Sequence, residues 1–177
     1  MEPKKNEYIF KKNSLVFDYY SFHFSSVHKR PEITLDLITA VDFKTYPHSL
    51  IVDSREVVFL NHDDKTSLPY FAEQHSLPIS THIDSWSYLN RTYLDTELET
   101  EDIQEQNRRL ALVGINQVEF KRINKKVYWT LFGTMEWQYL GLWDVLAMKQ
   151  FRNPFYSLFG ERFYWWTMQV ALQGSGF

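Results

Sequence analysis

The sequence predicts an α+β fold, with a mostly antiparallel N-terminal sheet packed against a C-terminal half of aromatic-rich helices. Three observations predict it. Runs of β-branched and aromatic residues broken by short polar turns fill residues 7–60. Helical periodicity with recognisable caps takes over across residues 67–172. No low-complexity tract or linker separates the halves, so residues 1–177 are expected to form one domain, with 173–177 a flexible tail.

The strand signals come first. Ser14–Phe24 places Leu15, Phe17 and Tyr19 on one face and Val16, Asp18, Tyr20, Phe22 and Phe24 on the other, so both sides are expected to be covered. Glu32–Lys44 alternates in the same way and reads as a second strand. Tyr46-Pro47-His48-Ser49 reads as a turn. Leu50–Val52 and Val57–Leu60 flank Asp53-Ser54-Arg55-Glu56, a hairpin with a type I-like turn. Short connections of this kind imply antiparallel pairing.

Helices follow. Ser67 is expected to cap a short helix running to His75, and His82–Leu94 repeats Ile83, Trp86, Leu89 and Tyr93 at helical spacing. Thr96-Glu97-Leu98-Glu99 resembles a capping box, with Thr100 a competing cap for a helix ending at Val113 and Gly114. From Gln117 to Phe132 the pattern is sharpest. At 100° per residue Phe120, Ile123, Val127 and Leu131 fall within ~80° of one another, opposite Lys121, Arg122, Lys125 and Lys126. Thr134–Lys149 is apolar nearly all round and reads as a central helix weakened by Gly141. Asn153-Pro154 is a helix start, and Glu161–Leu172 a final helix.

Composition narrows the function classes. The formal net charge is −3, so no long-range field draws the chain onto nucleic acid or acidic lipid, and neither partner is expected. There are no cysteines, which excludes disulfides, thiolate metal sites and a thiol nucleophile, and fits a cytoplasmic setting. The polar start lacks the apolar stretch of a secretory signal, and no segment reaches the ~20 apolar residues of a membrane span. Neither a phosphate-binding glycine loop nor a nucleophile elbow occurs.

Several constellations could carry chemistry. His62-Asp63-Asp64 and His82-Ile83-Asp84 each put an imidazole and a carboxylate on one face of an extended chain. His62, Asp64, His82 and Asp84 are therefore the candidate ligands for a divalent metal, provided the fold brings the pairs together. No other cofactor is implied. Asp36, Asp42 and Lys44 invite comparison with metal-dependent nucleases, but lie awkwardly along one strand. Glu136 and Asp144, in the most apolar helix, are the candidate catalytic carboxylates. They stand ~12 Å apart along the axis, too far for a dyad on one bond, and a structural role fits better.

The cations of the Gln117–Phe132 helix read as a solvated face. Aromatic rings are the feature furthest from average, at 18% of the chain. Trp137, Trp143, Trp165 and Trp166 are the candidate binding residues. Trp165 and Trp166, adjacent on one helix, cannot both point inward. The expectation is a non-enzymatic cytoplasmic interaction or binding protein whose partner is another protein, with self-association through the aromatic C-terminal helices as one form. The alternative is a metal-dependent hydrolase or nuclease using the His-x-Asp pairs.

Overall fold

The computed structural model describes residues 4–61, 64–93, 98–131, 140–152 and 160–175. The fold is α+β. Two three-stranded antiparallel sheets form the N-terminal half. The first contains β1 (Glu7–Phe10), β2 (Ser14–Tyr19) and β3 (Glu32–Thr34), and the second β4 (Ile38–Asp42), β5 (Ser49–Val52) and β6 (Glu56–Phe59). Six α-helices follow among the described residues: α1 (Ser67–Gln74), α2 (Ser85–Leu89), α3 (Thr100–Leu112), α4 (Gln117–Leu131), α5 (Leu142–Arg152) and α6 (Glu161–Ala171).

The alternating stretch Glu32–Lys44 is two strands rather than one. A 3-10 turn at Leu35–Leu37 carries the chain out of the first sheet and into the second. Tertiary hydrogen bonds fix the crossing, with Leu35 N–H donating to the Asn13 carbonyl (3.3 Å) and Asp53 N–H to the Leu37 carbonyl (2.9 Å). Alternation with a period of two survives a short turn, so the pattern could not show the break. Pairing of β2 likewise ends at Tyr19, although Tyr20 and Phe22 beyond it stay in the core.

The β5–β6 hairpin forms where its sequence predicts, with a different turn. Asp53 and Ser54 both have φ of 52°, the sign pattern of a type I′ turn, and Arg55 N–H donates to the Val52 carbonyl at 3.0 Å. A type I turn would splay the strands, whereas I′ matches their right-handed twist. Glu56 belongs to the strand, not the turn, and is buried. Every residue of β5 and β6 is buried; the final helix packs on β6, and Tyr20 and Phe22 beyond β2 reach Phe59.

Helix ends follow local chemistry closely. Ser67 is the first residue of α1, and its N–H donates to Asp64 Oδ1 (3.0 Å). Asp84 caps α2, accepting from Ser87 N–H at 3.3 Å, so that helix begins three residues after His82 and passes into a 3-10 turn at Asn90–Tyr93. The N-cap of α3 is Glu99, whose N–H donates to the Asp102 carboxylate (3.3 Å); Thr100 is already helical, and Thr96 lies outside the described residues. At its other end Gly114 has φ of 80°. Gly114 N–H donates to the Ala111 carbonyl (3.0 Å) and Ile115 N–H to that of Leu110 (2.9 Å), a Schellman motif with Ile115 buried.

Asn116 caps α4 through Oδ1, which accepts from Val118 and Glu119 N–H at 3.0 Å each. Ile123, Val127 and Leu131 are buried as the spacing predicts. The helix expected from Thr134 begins, within the described residues, only at Leu142. Gly141 precedes it, and its N–H donates to Asp144 Oδ2 at 2.7 Å. The Asn153-Pro154 start lies outside the described residues. Helix α6 packs Phe163, Tyr164, Thr167, Met168 and Val170 inward, against β6, α2 and α5. No described helix is long and apolar enough to cross a membrane.

Candidate functional site on the exposed face of α4

The residues singled out by sequence fall in different places. Asp64 sits in an open cleft of about 590 Å³ beside Glu7 and Asp18, where it accepts from Tyr8 Oη–H (2.7 Å) and the Ser67 amide. His62, the other half of its pair, lies outside the described residues. His82 and Asp84 line a separate cavity of about 20 Å³, together with Asp42, Thr45 and Ser49.

That cavity has room for about one water molecule, and its polar groups already have partners. His82 Nε2 lies against the Ala171 carbonyl, Asp84 caps α2, and Asp42 Oδ1 accepts from Lys44 N–H at 2.8 Å. Among the described residues no three His, Asp or Glu side chains gather as a metal would require. The structure therefore joins Asp42 to the His82–Asp84 pair, and gives Asp64 a different cavity.

Of the two candidate carboxylates, Asp144 is half-buried in the first turn of α5, where it accepts from a backbone amide and faces the positive end of the helix dipole. Glu136 and Trp137 lie outside the described residues. The other candidate tryptophans, Trp143, Trp165 and Trp166, are half-buried against the core. Trp143 meets Phe22 edge-on (6.2 Å), and Trp165 stacks under the Arg55 guanidinium (4.6 Å). Trp166 lies between Trp86 (5.9 Å) and Phe163 (5.6 Å), with Lys126 Nζ over its ring at 3.6 Å.

One buried carboxylate escaped the sequence reading. Glu56, 2% exposed, accepts from Tyr164 Oη–H (2.5 Å), from the Ser26 N–H (3.2 Å) and from the Ser26 hydroxyl. Burial, then the neighbouring carboxylate, pushes the Tyr164 and Tyr20 hydroxyls well above the usual tyrosine range. This closed set of neutral donors ties β6 to α6 and to the Ser26–His28 turn. No cavity opens onto it among those described, and its role is architectural.

The surface of α4 is different. Its apolar stripe is in the core, yet on the opposite side Val118 is 78% exposed and Trp129 77%, with Tyr128 edge-on to Trp129 at 5.0 Å. At 100° per residue Val118, Arg122, Lys125 and Trp129 fall within ~60° of one another, flanked by Lys121 and Tyr128 on one side and Lys126 on the other. Lys121, Arg122, Lys125 and Lys126 are all exposed, and among the described residues only Arg122 has an ion-pair partner, Glu119 at 2.6 Å. Partial desolvation over Trp166, then the charges of Arg122 and Lys149, hold Lys126 below the usual lysine range. Cations on two helices therefore act on one another around a half-buried ring.

The arrangement offers an aromatic anchor inside a positive field, the pairing of residue types that dominates interface energetics. The sequence carries the signal for Trp129: the same wheel that sends Ile123 and Val127 inward sends Trp129 outward. No protein-family model, curated protein or solved structure matches the chain.

Proposed function

We propose that this is a non-enzymatic binding protein that engages another protein through the outer face of α4, with Trp129 as the anchor and Lys121, Arg122 and Lys125 selecting an acidic surface. One observation carries the reading: a tryptophan left 77% exposed on a helix whose apolar stripe is already buried. Trp129, Tyr128 and Val118 form an exposed apolar strip on one helix face, and such a patch rimmed by charged residues marks a contact site. The tightly occupied cavity at His82 and Asp84 leaves little space for a hydrolytic metal and its substrate.

Site-specific photo-cross-linking tests the reading. A benzoylphenylalanine at position 129 should give a discrete protein adduct in the producing cells. That adduct should disappear with Lys121→Glu/Lys125→Glu in the same chain. The same probe at Tyr70, another exposed ring at 63%, should give none. Absence of adduct at 129, or adducts indifferent to charge reversal, would sink the proposal.

A further inference from the structure

The occupant of this face can be read from the helix beside it. On α3 one stripe opposite the buried side holds Glu101, Glu105, Arg108 and Leu112; Glu105 is half-buried and the others exposed, Leu112 at 62%. They recur at i, i+4, i+7 and i+11. On α4 Val118, Arg122, Lys125 and Trp129 repeat the same spacing. Each stripe is thus about 16 Å long, at 1.5 Å per residue. One runs from acid to an exposed leucine, and the other from an exposed valine through cations to an exposed tryptophan.

Local ion pairs remove part of this charge. Glu105 is taken up by Arg108 (2.7 Å) and Arg109 (2.6 Å), and Glu119 by Arg122. What is left is complementary: among the described residues Glu101 on α3 and Lys121 and Lys125 on α4 have no ion-pair partner. The two helices leave the Gly114 corner without packing face to face, since Gln117 Nε2 to Asn107 Oδ1 is their one side-chain bond among the described residues. The acidic residues of α3 therefore do not reach the cations of α4 in the same chain.

We infer that the outer faces of α3 and α4 form the contact with a second copy of this chain, the acidic stripe of each copy meeting the basic, tryptophan-bearing stripe of the other. A two-fold axis makes this pairing twice, so each interface carries two sets of Glu101–lysine attractions and six exposed apolar anchors, Leu112, Val118 and Trp129 from each copy. An acidic protein with one basic face is self-complementary in this way. The inference rests on the reading of α4 as the contact face and goes further by naming what covers it.

Sedimentation velocity with light scattering across a concentration series decides the matter. The weight-average mass should rise from 21.3 kDa toward twice that value, and the rise should shrink between ~50 mM and ~500 mM NaCl as screening sets in. Lys121→Glu/Lys125→Glu should weaken association at least about tenfold, since like charges then face each other. Adding Glu101→Lys to that variant should restore it, an outcome unfolding or a general charge effect would not give. Trp129→Ala should weaken association without lowering the thermal midpoint.

A strictly monomeric wild type at all concentrations overturns the second-copy proposal, as does association that ignores both the charge reversal and Trp129→Ala. If position 129 still cross-links to a different protein in that case, the contact face stands and only its occupant was misassigned. A monomer with no adduct at 129 removes both.

Discussion

Glu56 shows how one buried side chain can tie a strand to a helix distant in sequence. Its carboxylate is out of water and satisfied by hydroxyl and amide donors alone, and Tyr164 supplies the bond that reaches from β6 to α6. Hydrogen bonds to a charged group are worth more than neutral ones, and a buried acceptor that loses a donor keeps its desolvation cost. Tyr164→Phe is therefore expected to destabilise the fold by about 1.5–3 kcal/mol, read from urea denaturation, with the midpoint lowered. An unchanged midpoint would show that water replaces the lost donor.

Trp129 is the contrasting residue. Exposed and outside the core, Trp129→Ala should change stability by no more than about 0.5 kcal/mol in either direction. The two left-handed glycines give a graded test of backbone demand. A Cβ at Gly114 would meet only Gln173 Nε2, at 3.6 Å, so Gly114→Ala costs the left-handed conformation, about 1–2 kcal/mol. At Gly174 φ is 73° and a Cβ would stand 2.7 Å from Val113 Cα, so Gly174→Ala should be the more damaging of the two in thermal melts.

At the scale of the element, α3 and α4 are specified by their ends. Asn116 satisfies two amides at the start of α4, and Asn116→Ala should cost about 1 kcal/mol, with the loss visible in the helical circular-dichroism signal on heating. The middle of α3 is tied by Glu105. Hydrogen bonds from Arg108 and Arg109 hold its carboxyl at about 2, below the usual 4.5. A carboxyl lowered in the folded state contributes stability above its unfolded value and loses it as pH falls through the folded one. The pairing should thus persist at pH 4 and fade toward pH 2, which a side-chain NMR titration of Glu105 would follow. A midpoint near 4.5 would contradict the arrangement.

The helices were largely legible because their determinants are local. A polar first turn and an apolar stripe define α4, and Gly114 with Ile115 closes α3 as the sequence indicates. The strands were legible in kind but not in membership. Whether Thr34 and Ile38 belong to one strand or two depends on Asn13 and Asp53, which no window around residue 36 contains. Glu56 was read as a turn residue for the same reason, since its partners Ser26 and Tyr164 are far away along the chain.

For the whole molecule, the two buried tyrosines set the alkaline limit. Burial raises the Tyr20 and Tyr164 hydroxyls above the usual value of 10.0, so the unfolded chain releases those protons at a lower pH than the folded one. Stability is then fully present below pH 10 and falls as pH climbs toward the raised folded values. Denaturation midpoints between pH 8 and 11 should be flat and then decline, and Tyr20→Phe or Tyr164→Phe should each reduce the decline while lowering the plateau. A decline of equal slope in both variants would point to other groups.

Sequence by itself determined the α+β class, the order of strand-rich and helical halves, the Gly114 end of α3, and the inward stripe of α4. These depend on interactions a few residues long, whose physical chemistry is written in the residues themselves. Tertiary structure alone decided that there are two sheets, that Glu56 is buried, and that His82 and Asp84 share a cavity with Asp42 rather than with Asp64. Those outcomes depend on which distant surfaces meet. The free energy of such contacts comes from burial summed over the whole core, and burial has no local signature.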